Sequence, residues 1–225
     1  MKKYFTSDML KIIGMISILC DHCAIVFAGY GLPVWAYWTM RCVGRLAFPI
    51  FTYFIVQGFI YTHSVGKYGL RILLAAVLSE IPYNMAIFGK VWYFGHNNVL
   101  FTFAMALFVL WLAQKIYKKN THYVPFVVIL VLWAMAVSYV LGLDYSWRCI
   151  LLAVIFYYLR SYSSIMYTAG GIVMIISGSV AGLATPLALI PIHLHDGEKG
   201  RIPRFITYAF YPAHLLLLGI IRMIM

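Results

Sequence analysis

Acidic residues are almost missing from this sequence. Six Asp and Glu stand against seventeen Lys and Arg in 225 residues, and charged side chains together make up 10% of the chain, less than half the share usual in a soluble globular domain. With 64% of residues hydrophobic and a mean hydropathy of +0.90, the composition excludes an ordinary soluble fold and is that of a polytopic membrane protein. The formal charge of +11 reads as cytoplasmic loop charge. No basic run is long or solvated enough for a nucleic-acid surface.

Cysteine is also sparse. Cys20, Cys23, Cys42 and Cys149 are scattered through apolar segments, which excludes a disulfide framework. Ser64, Ser79 and Ser138 lack the glycine-rich elbow of a serine hydrolase. His193 and His195 flank Leu194 on different helix faces, and no cysteine and carboxylate set completes a tetrahedral zinc site with them. Two lysines precede the first apolar run as in a signal peptide, but the run continues through Phe27 with no small-residue cleavage site, so a retained first helix is expected. No internal repeat, low-complexity tract or soluble domain stands out, and one domain is expected over residues 1–225.

What the chain has in abundance is apolar runs long enough to cross a bilayer. They cover residues 9–28, 39–61, 70–88, 98–114, 123–141, 147–159 and 205–224, with a further apolar stretch over 161–194 broken up by Gly170, Gly171, Gly178, Gly182, Pro186 and Pro191. Pro82 inside the third run predicts a kink or break there. Basic residues at Lys2 and Lys3, Lys67 and Arg71, Lys115 to Lys119, and Arg160 mark alternate connections, which predicts a cytoplasmic amino terminus. The basic connection Lys199, Arg201 and Arg204 joins that side if residues 161–194 cross twice; as helix they reach roughly 51 Å, enough for two short spans of a core about 30 Å thick. The expected fold class is all-α, a polytopic integral membrane bundle of about 8 to 9 transmembrane helices. Trp and Tyr at segment ends, such as Trp35, Trp38, Trp92 and Trp147, read as interfacial belts.

Ionisable groups inside such runs are costly and mark functional sites by default. The stretch KIIGMISILCDHC places Lys11 and His22 eleven residues apart, nearly the same direction around a helix and roughly 16 Å apart along it. Asp21, adjacent to His22, faces elsewhere and is expected to pair with Arg41 or Arg45 on the next helix. Those arginines, four apart in RCVGR, share a face and form a fork suited to phosphate or carboxylate; the plainer reading has Arg41 snorkelling to the interface. Glu80 is the other carboxylate deep in a helix before Asp144, and a part in orienting His22 is open to it. In FYPAHL, Tyr211 and His214 lie near a helix-perturbing proline and are candidates for substrate contact. The C-x-x-C of Cys20 and Cys23 fits either a redox dithiol or two small hydrophobes one turn apart.

Taken in order, LKIIGMISILCDH, RCVGRLAFPIFTYFIVQGF, KYGLRILLAAVLSEIP, NNVLFTF and FYPAHL resemble the TraX family over most of the chain. Its founding members are linked to amino-terminal acetylation of conjugative pilin. The lysine followed by a histidine and then paired arginines is also similar to the wider membrane acyltransferase-three group, although the arginine pair is four apart here where that group commonly shows three. The resemblance implies a membrane acetyltransferase, with acetyl-CoA as acyl donor and a peptide amine or cell-surface glycan hydroxyl as acceptor. His22 would act as general base or briefly carry the acyl group, and Lys11, Arg41 and Arg45 would hold the donor's phosphates; Asp21 and Glu80 join His22 as catalytic candidates from their place in the apolar runs. The implied location is a bacterial inner or plasma membrane. The rival readings are a proton-coupled transporter using Asp21, His22, Glu80 and the arginines, a thiol oxidoreductase using Cys20 and Cys23, and a structural scaffold.

Overall fold

A computed structural model describes residues 4–119, 121–176, 179–198 and 200–225. Lys2, Lys3, Gly178 and Lys199 of the topology argument lie outside the described residues. Helices account for all the regular structure among the described residues: α1 Ser7–Phe27, α2 Val34–Gly44, α3 Ala47–Tyr61, α4 Val65–Phe88, α5 Val99–Lys119, α6 Tyr123–Val140, α7 Ser146–Tyr158, α8 Ser163–Ile175, a 3₁₀ segment Ala181–Ala188, α9 Leu189–His193 and α10 Arg204–Ile224. Six stretches are long and apolar enough to cross a membrane, with α2 and α3 counted as one, and three shorter apolar helical stretches accompany them. The chain is an all-α polytopic membrane protein.

Exposed apolar surface confirms the solvent for which these helices are built. Along α4, Leu70, Leu73, Leu74, Val77, Leu78 and Ile81 are exposed at helical spacing, an outward apolar stripe that lipid satisfies and water does not.

The structure adds detail to helix continuity at two prolines. Within the run at 39–61 the chain turns at Arg45 and Leu46 between α2 and α3, and Pro49 lies in the first turn of α3, where its missing N–H costs no helical bond. Pro82, by contrast, does not end α4, which continues to Phe88. Helices packed closely in a membrane tolerate internal proline where neighbours cover the opened turn, and Gly219 of α10 lies against Met85, Ala86 and the Pro82 carbonyl.

The chain divides into two compact units, each described by itself. The first comprises Met1–Phe51, Leu78–Tyr93 and Met174–Met225. In it α1 packs against α2 and α10, and α2 against the 3₁₀ segment. Ser7, Leu10, Gly14, Ser17, Asp21 and Ala24 are the buried stripe of α1, recurring every three or four residues; the small members allow close helix approach. Arg222 closes the far end of α4 by donating to the carbonyls of Ala86 and Ile87 at 2.8 and 2.6 Å, and Gly89 leaves that helix at φ +65°, a conformation glycine adopts without strain.

The second unit comprises Thr52–Val77 and Phe94–Val173. Helices α5, α6 and α7 pack on one another around Phe103, Leu107, Leu110, Ile150 and Phe156. Asn98 Nδ2 donates to the Ala76 carbonyl at 2.9 Å, and Thr102 Oγ1 to the Asp144 carbonyl at 2.6 Å, so buried polar groups here satisfy backbone.

Candidate active site

Every residue singled out for chemistry in the sequence falls in the first unit. The buried stripe of α1 carries Asp21 directly against α2, where Arg41 Nη1 donates to Oδ2 at 2.6 Å and Arg45 Nη2 lies 3.1 and 3.3 Å from Oδ1 and Oδ2. Asp21 therefore pairs with both arginines. One carboxylate and two guanidiniums leave a surplus positive charge in a largely buried setting, the side chains being 10, 19 and 15% exposed. Gly44, one turn from Arg41 and next to Arg45, makes the approach possible: a Cβ there would run into the Asp21 side chain.

His22, the next residue, turns to a different neighbour. Its Nδ1 lies 2.9 Å from Nε2 of His214 on α10, and the two rings are within 6° of coplanar with centroids 5.1 Å apart. A nitrogen separation so much shorter than the centroid separation puts the rings edge to edge in one plane, the geometry of a ring-to-ring hydrogen bond. His214 in turn places Nδ1 2.7 Å from the Phe210 carbonyl, one helical turn back; Pro212, between the two, lacks the N–H that would otherwise reach the Tyr208 carbonyl. Tyr211 stands edge-on to both imidazoles, at 6.4 and 5.5 Å. His22, Tyr211 and His214 are all buried.

The structure thus gathers His22, His214 and Tyr211, and separately Asp21, Arg41 and Arg45, on consecutive residues of α1. The hydrogen bond that orients the His22 ring is made with His214, which the sequence offered as an interfacial histidine, a second catalytic group or a substrate contact. Glu80 is half-buried on α4 in the same unit. Lys11 is held elsewhere: its Nζ is 3.5 Å from Asp8 near Gly200, and ten residues, about 15 Å of helix, separate it from Asp21. Cys20 and Cys23 are both half-buried free thiols.

A second polar cluster, at the amino-terminal end of α1, was not anticipated. The Asp8 carboxylate accepts from the backbone N–H of Arg201 at 2.5 Å and of Ile202 at 3.1 Å, Phe5 pairs with His195, and Ser7 contacts both His195 Nε2, at 3.0 Å, and the Glu198 carbonyl. Ser7, His195 and Asp196 have the composition of a hydrolytic triad but the wrong polarity. The Glu198 carbonyl can only accept, so Ser7 gives it the hydroxyl proton and accepts from His195. The serine is clasped rather than activated. This clasp puts Leu194, Asp196, Arg201 and Ile202 beside Tyr4, Phe5 and Asp8.

The family model described as TraX protein matches residues 6–222. The chain belongs to the TraX family. This TraX-family chain is also 28% identical, over 95% of its own length and 94% of the relative's, to a protein named probable fimbrial assembly protein FimC, serogroup H1, from Dichelobacter nodosus. No solved structure matches it.

Proposed function

We propose that this TraX-family protein is a membrane-embedded acetyltransferase that moves an acetyl group from cytoplasmic acetyl-CoA to a peptide amine or a cell-surface glycan hydroxyl, in a bacterial inner membrane. The observation that carries the reading is His22: a buried imidazole in a membrane-spanning helix, fixed through Nδ1 by His214 and adjacent to a carboxylate that gathers two arginines.

A neutral imidazole so placed serves as general base. As the acceptor nitrogen or oxygen forms its bond to the acetyl carbon, His22 takes the acceptor's proton. The carbon–sulfur bond then breaks, and His22 returns the proton to the departing thiolate, ending neutral. The surplus positive charge of Asp21, Arg41 and Arg45 favours the negative charge that develops on the carbonyl oxygen. Because both arginines engage Asp21, we assign them this electrostatic part in place of the phosphate clamp expected from sequence. Lys11, which pairs with Asp8 near the amino-terminal end of α1, keeps the part expected of it at the donor's phosphates.

The family's link to pilin acetylation, and a relative named for fimbrial assembly, favour a pilin-like amine among the acceptors. The test is acetyl release or self-labelling from labelled acetyl-CoA by purified protein in nanodiscs, wild type beside His22→Ala. A loss of roughly 10²–10⁴-fold supports the base. Undiminished turnover in the variant removes His22 from the chemistry. If the wild-type protein neither binds nor turns over acetyl-CoA, the acetyltransferase reading fails, and proton-driven flux in liposomes becomes the next assay.

A further inference from the structure

The proposed base has two ring nitrogens, and which one is basic decides where an acceptor must sit. We infer that His214 is a positioning residue that holds His22 as the Nδ1–H tautomer, leaving Nε2 of His22 as the nitrogen that meets substrate. This deepens the acetyltransferase reading and rests on it for its catalytic meaning.

The argument follows protons along one chain of contacts. A backbone carbonyl has no proton to give, so at 2.7 Å from the Phe210 oxygen it is His214 Nδ1 that carries the hydrogen. In a neutral ring the other nitrogen then holds a lone pair. That nitrogen, Nε2 of His214, is 2.9 Å from His22 Nδ1, so His22 Nδ1 must donate. The 6° angle between the rings lays the N–H along the lone pair. Nε2 of His22 is left with its own lone pair, and none of the hydrogen bonds among the described residues engages it. A charge on either buried imidazole would stand in the membrane-spanning part of the chain beside the guanidiniums of Arg41 and Arg45, which disfavours it, so both rings are neutral.

The surroundings hold this relay in place. Phe210 lies nearly parallel to the His214 ring at 4.7 Å, with 18° between the planes, and Tyr211 is edge-on to both histidines. The Phe210 carbonyl therefore does for this pair what a buried carboxylate does for the histidine of a Ser-His-Asp triad: it selects the tautomer and the ring orientation without touching substrate. Pro212 sits within the same turn. The local sequence F-Y-P-A-H thus supplies the acceptor, the edge contact, the opened turn and the second histidine.

The test is the tautomer itself. Protein with ¹⁵N-labelled imidazoles is studied in nanodiscs by NMR, with His22→Gln used to assign the His22 signals. The wild type is expected to show His22 protonated at Nδ1 with Nε2 unprotonated. His214→Gln keeps an acceptor oxygen and preserves that state; His214→Phe keeps the ring's shape, removes the acceptor and shifts His22 towards Nε2–H. In acetyl-CoA assays His214→Phe lowers kcat roughly 10²–10⁴-fold with little change in KM for the donor, and His214→Gln recovers most of that loss. A wild-type His22 protonated at Nε2, or an unchanged tautomer in His214→Phe, overturns the relay even if acetyl transfer proceeds. The expected tautomers in a protein that never turns over acetyl-CoA uphold the relay and overturn the acetyltransferase reading instead. Should His214→Phe fail to fold, the wild-type and His214→Gln spectra still decide.

Discussion

Asp21 fills the space that a side chain at residue 44 would need. The glycine therefore lets the carboxylate reach both arginines. Gly44→Ala forces the α1 and α2 backbones apart, an overpacking cost of about 1–3 kcal/mol, and loosens the Arg41 and Arg45 contacts together. Thermal unfolding in detergent should show a lowered Tm; an unchanged Tm would mean that the two helices have slack at this crossing.

Removing the carboxylate should be worse than removing either cation. Asp21→Ala leaves two largely buried guanidiniums to repel one another, and breaking a buried pair in this way costs about 3–5 kcal/mol. Arg45→Gln leaves Asp21 paired with Arg41 at 2.6 Å and costs less. Chemical unfolding of the two variants gives the order directly, and the reverse order would show that Asp21 is not the hub of the cluster.

The clasp at the amino-terminal end makes a separate prediction. Asp8→Ala frees the backbone amides of Arg201 and Ile202, so trypsin should cut after Arg201 about 10-fold faster, the equivalent of a contact of roughly 1.4 kcal/mol. Equal cutting rates would mean that the segment is held by other contacts. The same clasp fixes sidedness: in a background lacking native cysteines, a cysteine at Glu198 should react with an impermeant maleimide from the same side as one at Tyr4. Labelling from opposite sides would contradict the pairing of residues 4–8 with residues 194–198 and 201–202.

The thiols flanking Asp21 and His22 are predicted to be dispensable. Cys20→Ala with Cys23→Ala should retain acetyl-CoA turnover within about threefold, since small apolar residues replace cysteine with little cost in a half-buried helix face. Loss of function restored only by the dithiol would instead favour redox chemistry.

How much of this was legible beforehand follows the range of the interactions. Helix type, the number of apolar runs and the Asp21 pairing with the following helix are near-neighbour properties, readable from hydropathy and from ionisable residues placed in apolar runs. The partner of His22 was not readable. His214 lies 192 residues away, and nothing local to either residue names the other; the available signal was the proline next to a histidine in the last helix, which marks an opened turn without saying what enters it. The clasp of Ser7 and Asp8 was missed for the same reason, since its other half lies beyond residue 194. Pro49 is a local signal of the break between α2 and α3, since a proline favours the first turn of a helix, and the uninterrupted apolar run around it obscured that signal.

That interruption also changes the field around the arginines. Because α2 stops at Gly44, its last carbonyls form a helix terminus within the apolar run, and such an end carries the equivalent of about half a negative charge. Arg41 lies in that last turn and Arg45 is its cap. The amino end of α3, which begins at Ala47, carries the opposite partial charge at the same break, so the arginines stand where two helix ends of opposite sign meet. A chain in which α2 and α3 fused would lose both ends at once, and with them a polar seam inside the membrane that no side chain supplies.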